Sequence, residues 1–246
     1  MENSHKTSYK VRIADADRFG RLKAPALLQM LQEIATEHAE ILGVAYNDLK
    51  PKNLGWALSK IAVEIERTPR WGERVRIETW ASDRDRIATY REFAATDADG
   101  KSLFTARSQW LLFDVLARRI AKLDRLPDWP RNPAHANAVS FDEKFGKPDE
   151  SAPNLSVRKF ETLNDNIDLN GHVNNTVFAV WASETVPDSF AELRKPAKIF
   201  ASFMEEVQPK SAVSVVGEVR GESTYASIRS ETGREHARVR IDWQMA

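Results

Sequence analysis

Eight consecutive residues, Asp168-Leu169-Asn170-Gly171-His172-Val173-Asn174-Asn175, hold most of the side-chain types needed for acid–base chemistry on a carbonyl group. Asp168, Asn170 and His172 fall at i, i+2 and i+4, which in an extended segment sets all three on one side of the backbone. A helix start follows, with Asn174 or Asn175 as its cap, and the free N–H groups of that first turn suit an oxygen gaining negative charge. A carboxylate, an amide, an imidazole and a helix N-terminus together offer a base, an orienting group and oxyanion donors. The same residue types also build turns, since Asp, Asn and Gly are turn formers and Asn is a favoured cap. A polar turn with His172 exposed therefore stands beside the chemical reading.

Other candidates carry less. His38 falls on an apolar helix face and reads as a packed core residue, His5 lies in a terminus expected to fray, and His135 sits in a proline-rich stretch. His236 is in a late strand with no partner set at metal-ligand spacing. No metal motif, glycine-rich phosphate loop or Gly-x-Ser-x-Gly elbow is present, so no metal and no cofactor are expected. The chain contains no cysteine, which excludes disulfides, Cys-bound zinc, iron–sulfur clusters and thiolate attack. A nucleophile must then be water or a carboxylate.

Two sets of elements must position these residues. Leu27, Leu28, Leu31, Ile34, Ala35, His38 and Ile41 recur at helical steps and predict a helix from about Ala24 to Leu42, with Pro25 in its first turn and Gly43 as its stop. Alternation then predicts strands around 56–66, 75–79, 87–95 and 103–115, the last two joined by the Asp99-Gly100 turn. Five of the eleven prolines lie between Asp124 and Pro153, which reads as a crossing segment. The pattern then repeats: a strand at 155–160, a polar turn, a helix from about Thr176 to Ser183, and strands at 199–207, 213–221, 224–231 and 234–243. Asp15-Ala16-Asp17-Arg18-Phe19 echoes Asp168 to His172 at an offset of 153, and Glu66 with Pro69 echoes Glu206 with Pro209 at 140. The fold expected is α+β, an internal duplication with a helix lying on an antiparallel sheet in each half.

The chain of 246 residues, with 42% hydrophobic and 29% charged residues, has ample material for such a pair of cores and reads as a soluble globular protein. Its 36 basic and 36 acidic residues argue against broad nucleic-acid binding but allow a local basic patch. No run is long enough for a membrane span, and the N-terminus has no apolar stretch like a signal peptide's, so a cytoplasmic location, or a mature protein, is expected.

The eight-residue stretch matches the signature Asp-x-Asn-x-His-Val-Asn-Asn, followed by Trp181. A second signature, Trp56-Ala57-Leu58-Ser59-Lys60, then Pro69-Arg70-Trp71-Gly72-Glu73-Arg74-Val75 and Thr79-Trp80, lies in the first half. In these motifs, and from about Tyr9 to Trp243, the chain resembles the acyl-acyl-carrier-protein (acyl-ACP) thioesterases of plants and bacteria. The resemblance implies a tandem hotdog, each long helix wrapped by an antiparallel sheet. It divides into an acyl-chain-binding hotdog at 1–123, a linker at 124–154 and a catalytic hotdog at 155–246. It implies hydrolysis of fatty acyl-ACP to free fatty acid and carrier protein, ending fatty acid synthesis.

Carried over residue by residue, the family's catalytic Asp, Asn and His correspond to Asp168, Asn170 and His172. Its catalytic Glu, on the strand after the second helix, corresponds best to Glu206; the adjacent Glu205 would face the other side of that strand. Cysteine follows the Glu in plant members, but Val207 stands here, which favours water or a carboxylate over a thiol. Asn170 with the N–H groups near Asn174 and Asn175 would hold the oxyanion. Glu206 with His172 would activate water, and Asp168 would either fix Asn170 or act directly. In the first half Asp17 stands for Asn170 and Phe19 for His172, so that half lacks the set. Phe19 and Trp56 would instead suit the acyl chain. An acidic carrier partner calls for a patch of cations, drawn from Arg67, Arg70, Arg74 and Arg76 or from Arg118, Arg119 and Lys122. Rival readings are an acyl-CoA thioesterase, a hotdog dehydratase and a non-catalytic acyl-binding sensor. Homodimerisation is left open.

Overall fold

The computed structural model describes residues 4–131, 139–141 and 145–246; His135 lies outside them. The chain divides into two compact units, residues 1–140 and 141–246. In the first, β1 (His5–Lys10) leads to a 3-10 turn, helix α1 (Ala24–Ile41) and the short helix α2 (Tyr46–Leu49). There follow β2 (Leu54–Ile65), β3 (Arg74–Arg84), β4 (Ala88–Thr96), β5 (Ser102–Asp114) and β6 (Arg119–Ile120). These strands form an antiparallel sheet in the order β1-β3-β4-β5-β2, with β6 on β5. Helix α1 packs against β1 and β3.

The local chemistry of α1 explains its bounds. Pro25 sits in the first turn, where a missing N–H costs nothing. Leu27, Leu28, Leu31, Ile34, Ala35 and His38 are buried along one face, as their spacing predicts. At the other end Gly43 takes φ +69°, its N–H reaches Glu40 O at 3.0 Å and Val44 N–H reaches Ala39 O at 3.0 Å. This paired closure satisfies carbonyls the helix itself cannot use.

The second unit contains β7 (Ser156–Glu161), a 3-10 turn, α3 (Asn175–Ser183), α4 (Asp188–Glu192), β8 (Arg194–Phe203), β9 (Ala212–Arg220), β10 (Ser223–Ser230) and β11 (Glu235–Met245). Its sheet order, β7-β9-β10-β11-β8, repeats that of the first unit strand for strand. Helix α3 packs on β9, β10 and β11. Phe178 anchors it, edge-on to Trp181 and Phe203 at 5.6 and 5.7 Å, while Phe160 stacks on Trp181 at 5.8 Å. Among the described residues no helix is long and apolar enough to cross a membrane.

Several expectations are corrected. His5 does not fray: it pairs with Thr79 in β1, and its Nε2 lies 2.8 Å from Glu37 Oε2. Leu126 and Trp129, assigned by proline content to the crossing segment, are buried in the first unit's core beside Leu42, Leu54 and Leu112. The strand expected to run through Val207 ends at Phe203, so Glu205 and Glu206 lie on the connection to β9.

Candidate active site

The eight-residue stretch is not extended but forms a tight loop closed by its own backbone. Ile167 and Val173 make an isolated antiparallel bridge, Asp168 N–H donates to His172 O at 2.9 Å, and Gly171 N–H donates to Asp168 O at 3.0 Å. Gly171 supplies the φ of +80° that this reversal needs. Asp168 stiffens the loop through its side chain: Oδ1 accepts the Asn170 N–H at 2.8 Å, and Oδ2 lies 3.5 Å from Asn170 Nδ2. Asn170 is exposed, whereas Asp168 and His172 are half-buried.

The loop feeds α3 directly. Asn174 is its cap: the side-chain oxygen accepts the Thr176 N–H at 2.9 Å and the Thr176 hydroxyl at 2.8 Å. Its backbone oxygen takes the Val177 N–H at 3.0 Å. Among the described residues the Asn175 N–H has no acceptor in this turn, so the expected group of donors narrows to that amide and the Asn170 side chain.

Glu206 reaches this loop from a distant stretch of chain. Val173 N–H donates to Val207 O at 3.0 Å, tying the connection after β8 to the start of α3. Glu206 Oε2 consequently lies 3.2 Å from His172 Nε2, both side chains about one-third exposed. Gln208 Nε2 donates to the other carboxylate oxygen, Oε1, at 2.9 Å. Gln208 was missed by sequence reasoning; its only signal was its place two residues beyond Glu206. Glu205 turns elsewhere, to Arg234 Nε at 2.5 Å, with His236 Nδ1 at 3.9 Å, so His236 does have a nearby carboxylate. Among the described residues no group of three or more His, Cys, Asp or Glu is placed to hold a metal ion.

The first unit contains the same backbone device, in a register two residues away from the one expected. Its 3-10 turn Ile13–Asp15 matches Asn164–Asn166, and its bridge Ala16–Leu22 matches Ile167–Val173. Asp17 N–H to Arg21 O (2.7 Å) and Gly20 N–H to Asp17 O (3.0 Å) repeat the closure around Asp168. Leu22 N–H to Pro69 O at 2.8 Å repeats the tie from Val173 to Val207. The offsets are therefore 151 and 138, because hydrogen bonding aligns Asp17, not Asp15, with Asp168. Phe19 stands at the place of Asn170, Arg21 at that of His172 and Thr68 at that of Glu206. Arg21 is buried, donates from Nε to Asp17 Oδ2 at 2.9 Å and lies over the Phe19 ring at 4.4 Å.

Phe19 and Trp56, grouped by sequence as acyl-binding candidates, sit at opposite ends of α1. Phe19 is on the loop before the helix, whereas Trp56 Nε1 donates to Val44 O just beyond its C-terminus at 2.8 Å. Trp56 packs there edge-on to Trp129 at 6.2 Å. At 1.5 Å per residue the helix between the two ends is about 27 Å long.

Both halves of the chain match models of one family. The model of the acyl-ACP thioesterase N-terminal domain matches residues 2–125, and that of the C-terminal domain matches residues 149–245. A chloroplastic palmitoyl-acyl carrier protein thioesterase of Cuphea hookeriana is 26% identical over 250 residues, covering 93% of this chain and 59% of the relative. The chain spans about three fifths of the length of the curated relatives it matches. In fold it is similar to an acyl-ACP thioesterase from Bacteroides thetaiotaomicron, with a TM-score of 0.84, 21% identity and 98% of each chain covered. It is equally similar to the 12:0-ACP thioesterase from Umbellularia californica, with a TM-score of 0.83, 20% identity and coverage of 100% of this chain and 99% of the other. The α+β architecture is thus a tandem hotdog, and the chain belongs to the acyl-ACP thioesterase family.

Proposed function

We propose that this chain hydrolyses fatty acyl thioesters of acyl carrier protein, releasing free fatty acid and the carrier thiol and so ending acyl chain growth. The observation that carries the reading is the approach of Glu206 to His172 at 3.2 Å, on the loop that also bears Asn170 and leads into the first turn of α3 at Asn175. Glu206, oriented by His172, takes a proton from water, which attacks the thioester carbonyl carbon. Asn170 Nδ2 and Asn175 N–H stabilise the oxyanion of the tetrahedral intermediate. Collapse breaks the carbon–sulfur bond, and the proton held by the Glu206–His172 pair goes to the departing thiolate.

Asp168 is the positioning residue in this scheme. Both of its oxygens face Asn170, and its counterpart Asp17 holds the same loop in a unit that lacks the His, Asn and Glu. A carboxylate retained where those three are absent is explained by the loop it builds. The division of labour follows: catalysis in the hotdog at 155–246, acyl-chain binding in that at 1–123, with 124–154 connecting them.

The acidic carrier would dock on the solvent face of β1 and β3. Lys10, Arg74 and Arg76 are exposed there, with Lys10 directly across from Arg74. Arg67, from the same sequence cluster, is already engaged by Glu73 and Asp97. A cytoplasmic setting is part of the proposal and is read by cell fractionation.

The experiment is thiol release from a panel of acyl-ACP and acyl-CoA substrates, wild type beside His172→Ala. Turnover on the carrier substrates that the variant loses is the expected result. Preference for CoA at equal chain length would reassign the carrier, and saturable acyl binding without turnover would make the chain a sensor.

A further inference from the structure

One cationic cluster of the sequence is left unused by the proposed function: Arg118, Arg119 and Lys122. It belongs to the hairpin that joins β5 to β6, where Phe113 pairs with Ile120 and Asp114 with Arg119. The tip of that hairpin is apolar. Leu116 keeps 75% of its surface, Val115 56% and Ile120 46%. Such tips are ordinarily built from polar residues and glycine, because no neighbour covers them. Nor is this tip loose. Asp114 Oδ1 accepts the Ala117 N–H at 2.9 Å, while Arg125 Nη1 donates to Oδ2 at 2.6 Å. Val115 N–H donates to Asn53 O at 2.9 Å, and Ala121 N–H to Leu112 O at 2.8 Å. Arg118 sits at φ +50°, a conformation that glycine fills with less strain.

The Asn53 contact brings a second set of cations to the tip. Lys50 and Lys52 are exposed on the loop before β2, as Arg118, Arg119 and Lys122 are on the hairpin. Residues 50–53 and 115–122 hold these five cations and no carboxylate. Asp114 is engaged by Arg125, and Asp124 lies beyond Lys122. The β3–β4 turn, joined here by Leu123 N–H to Arg86 O at 3.1 Å, is balanced: Asp83 and Asp85 stand against Arg84 and Arg86, and Ile87 is exposed. In a chain of zero net charge this is a local positive field around an apolar tip. Its partner must supply negative charge at the rim and an apolar medium at the centre. An anionic lipid surface supplies both, since its headgroups take the cations and its acyl region takes the aliphatic side chains. A soluble acidic protein supplies the charge but needs a pocket shaped for the projecting aliphatics, whereas a bilayer needs none.

We propose that the β5–β6 hairpin is a peripheral lipid-binding element: Val115, Leu116 and Ile120 enter the interface of an anionic bilayer, and Arg119, Lys122 and Lys52 meet its headgroups. Such contact is interfacial and reversible and asks for no membrane-crossing helix. The inference stands apart from the thioesterase reading, because it concerns a surface of the first unit and is read by binding alone. Joined to that reading, it brings an enzyme that releases fatty acid to the phase that takes the product up.

The test is co-sedimentation of the full chain with vesicles of phosphatidylcholine alone and of an equal mixture of phosphatidylcholine and phosphatidylglycerol. Wild type should bind the mixed vesicles at least about tenfold more strongly than the neutral ones, and should lose that preference as salt is raised. Leu116→Gln should weaken binding by about tenfold, the scale of an aliphatic side chain kept in water, and Arg119→Gln by about fivefold. Arg158→Gln is the reference, since Val157 and Arg158 are also exposed, on β7 of the second unit, and it should bind as wild type does. Equal binding to both vesicle types, no binding to either, unchanged binding by Leu116→Gln, or a loss in Arg158→Gln matching that in Arg119→Gln overturns the proposal. An acidic protein partner overturns it too: wild type then ignores the vesicles, while Leu116→Gln and Arg119→Gln raise KM for acyl-ACP and not for acyl-CoA. Should one hairpin variant fail to fold, the other and the wild-type comparison still decide. Absence of thiol release from every substrate defeats the thioesterase reading and leaves the vesicle result as it stands.

Discussion

At the residue scale the proposed mechanism assigns different work to four polar side chains, and substitution separates them. Asn170→Ala should lower kcat by about 100- to 1,000-fold, the usual cost of one oxyanion donor, with an unchanged melting midpoint because the side chain is exposed; near-normal turnover would remove Asn170 from the site. Asp168 and Glu206 are distinguished by their amides. Asp168→Asn still offers an oxygen to the Asn170 N–H, so it should retain most of kcat, whereas Glu206→Gln removes the base and should cost about 100- to 10,000-fold. Comparable losses in the two amide variants would make Asp168 a direct participant. As candidates Asp168, Asn170 and His172 stood out in the sequence as a carboxylate, an amide and an imidazole within five positions, a set that a polar turn also uses, and their roles came from the family resemblance. Gln208 was not legible: a glutamine in a polar connection carries no signal until the connection is seen to turn it onto Glu206 Oε1.

At the element scale, alternation located the strands because each sheet buries one face against its helix, as Val75, Ile77 and Thr79 do on β3. The loop from Asp168 to Asn175 is a reversal rather than the extended segment expected, because i, i+2, i+4 spacing is compatible with both. What decides between them is backbone bonding, Asp168 to His172, which side-chain types do not encode. The end of β8 was placed four residues late because Met204 to Val207 are half apolar, though Met204 and Glu205 give their amides to His236 O from outside the strand. Gly171→Ala places an L-residue at φ +80° and should cost about 1 kcal/mol in urea unfolding, with a larger proportional loss of kcat as the loop relaxes. Gly217→Ala tests packing rather than conformation. A methyl there would run into the Thr185 side chain, just beyond the end of α3, and should cost about 1–3 kcal/mol. Gly55→Ala is the control, because its nearest neighbour is 4.0 Å away and its backbone is ordinary.

At the scale of the whole molecule, the balance of charges hides several carboxylates held below their usual range by arginines. Glu218 is held down by Arg220 and the Asp149 N–H, and Asp15 by Arg12; Glu235 is held down by Arg238 and Ser227 against the cost of burial. A carboxylate depressed in the folded state stabilises it above the ordinary carboxylate pKa, near 4, and that stability fades as pH falls through the depressed value. The thermal midpoint should therefore drop as pH is lowered below about 4. Glu218→Gln should lower the midpoint at neutral pH and flatten its acid decline; an identical pH profile in that variant would show that Glu218 contributes nothing to it. The duplication itself was legible from composition and repeated order, but its register was not, since two short echoes match almost as well at 153 as at 151.

That register has a consequence for how such a chain can change. When a fold of this kind is assembled from identical subunits, every substitution appears at all symmetry-related places at once. An arginine that suits one copy of the loop would then erase the histidine in the other. Linking both copies on one polypeptide removes that obligation: Arg21 and His172, or Thr68 and Glu206, are inherited separately though they occupy matching positions. Selection can act on one loop for reactivity while the other drifts or acquires a different task, and the shared aspartates, Asp17 and Asp168, record what neither copy was free to lose.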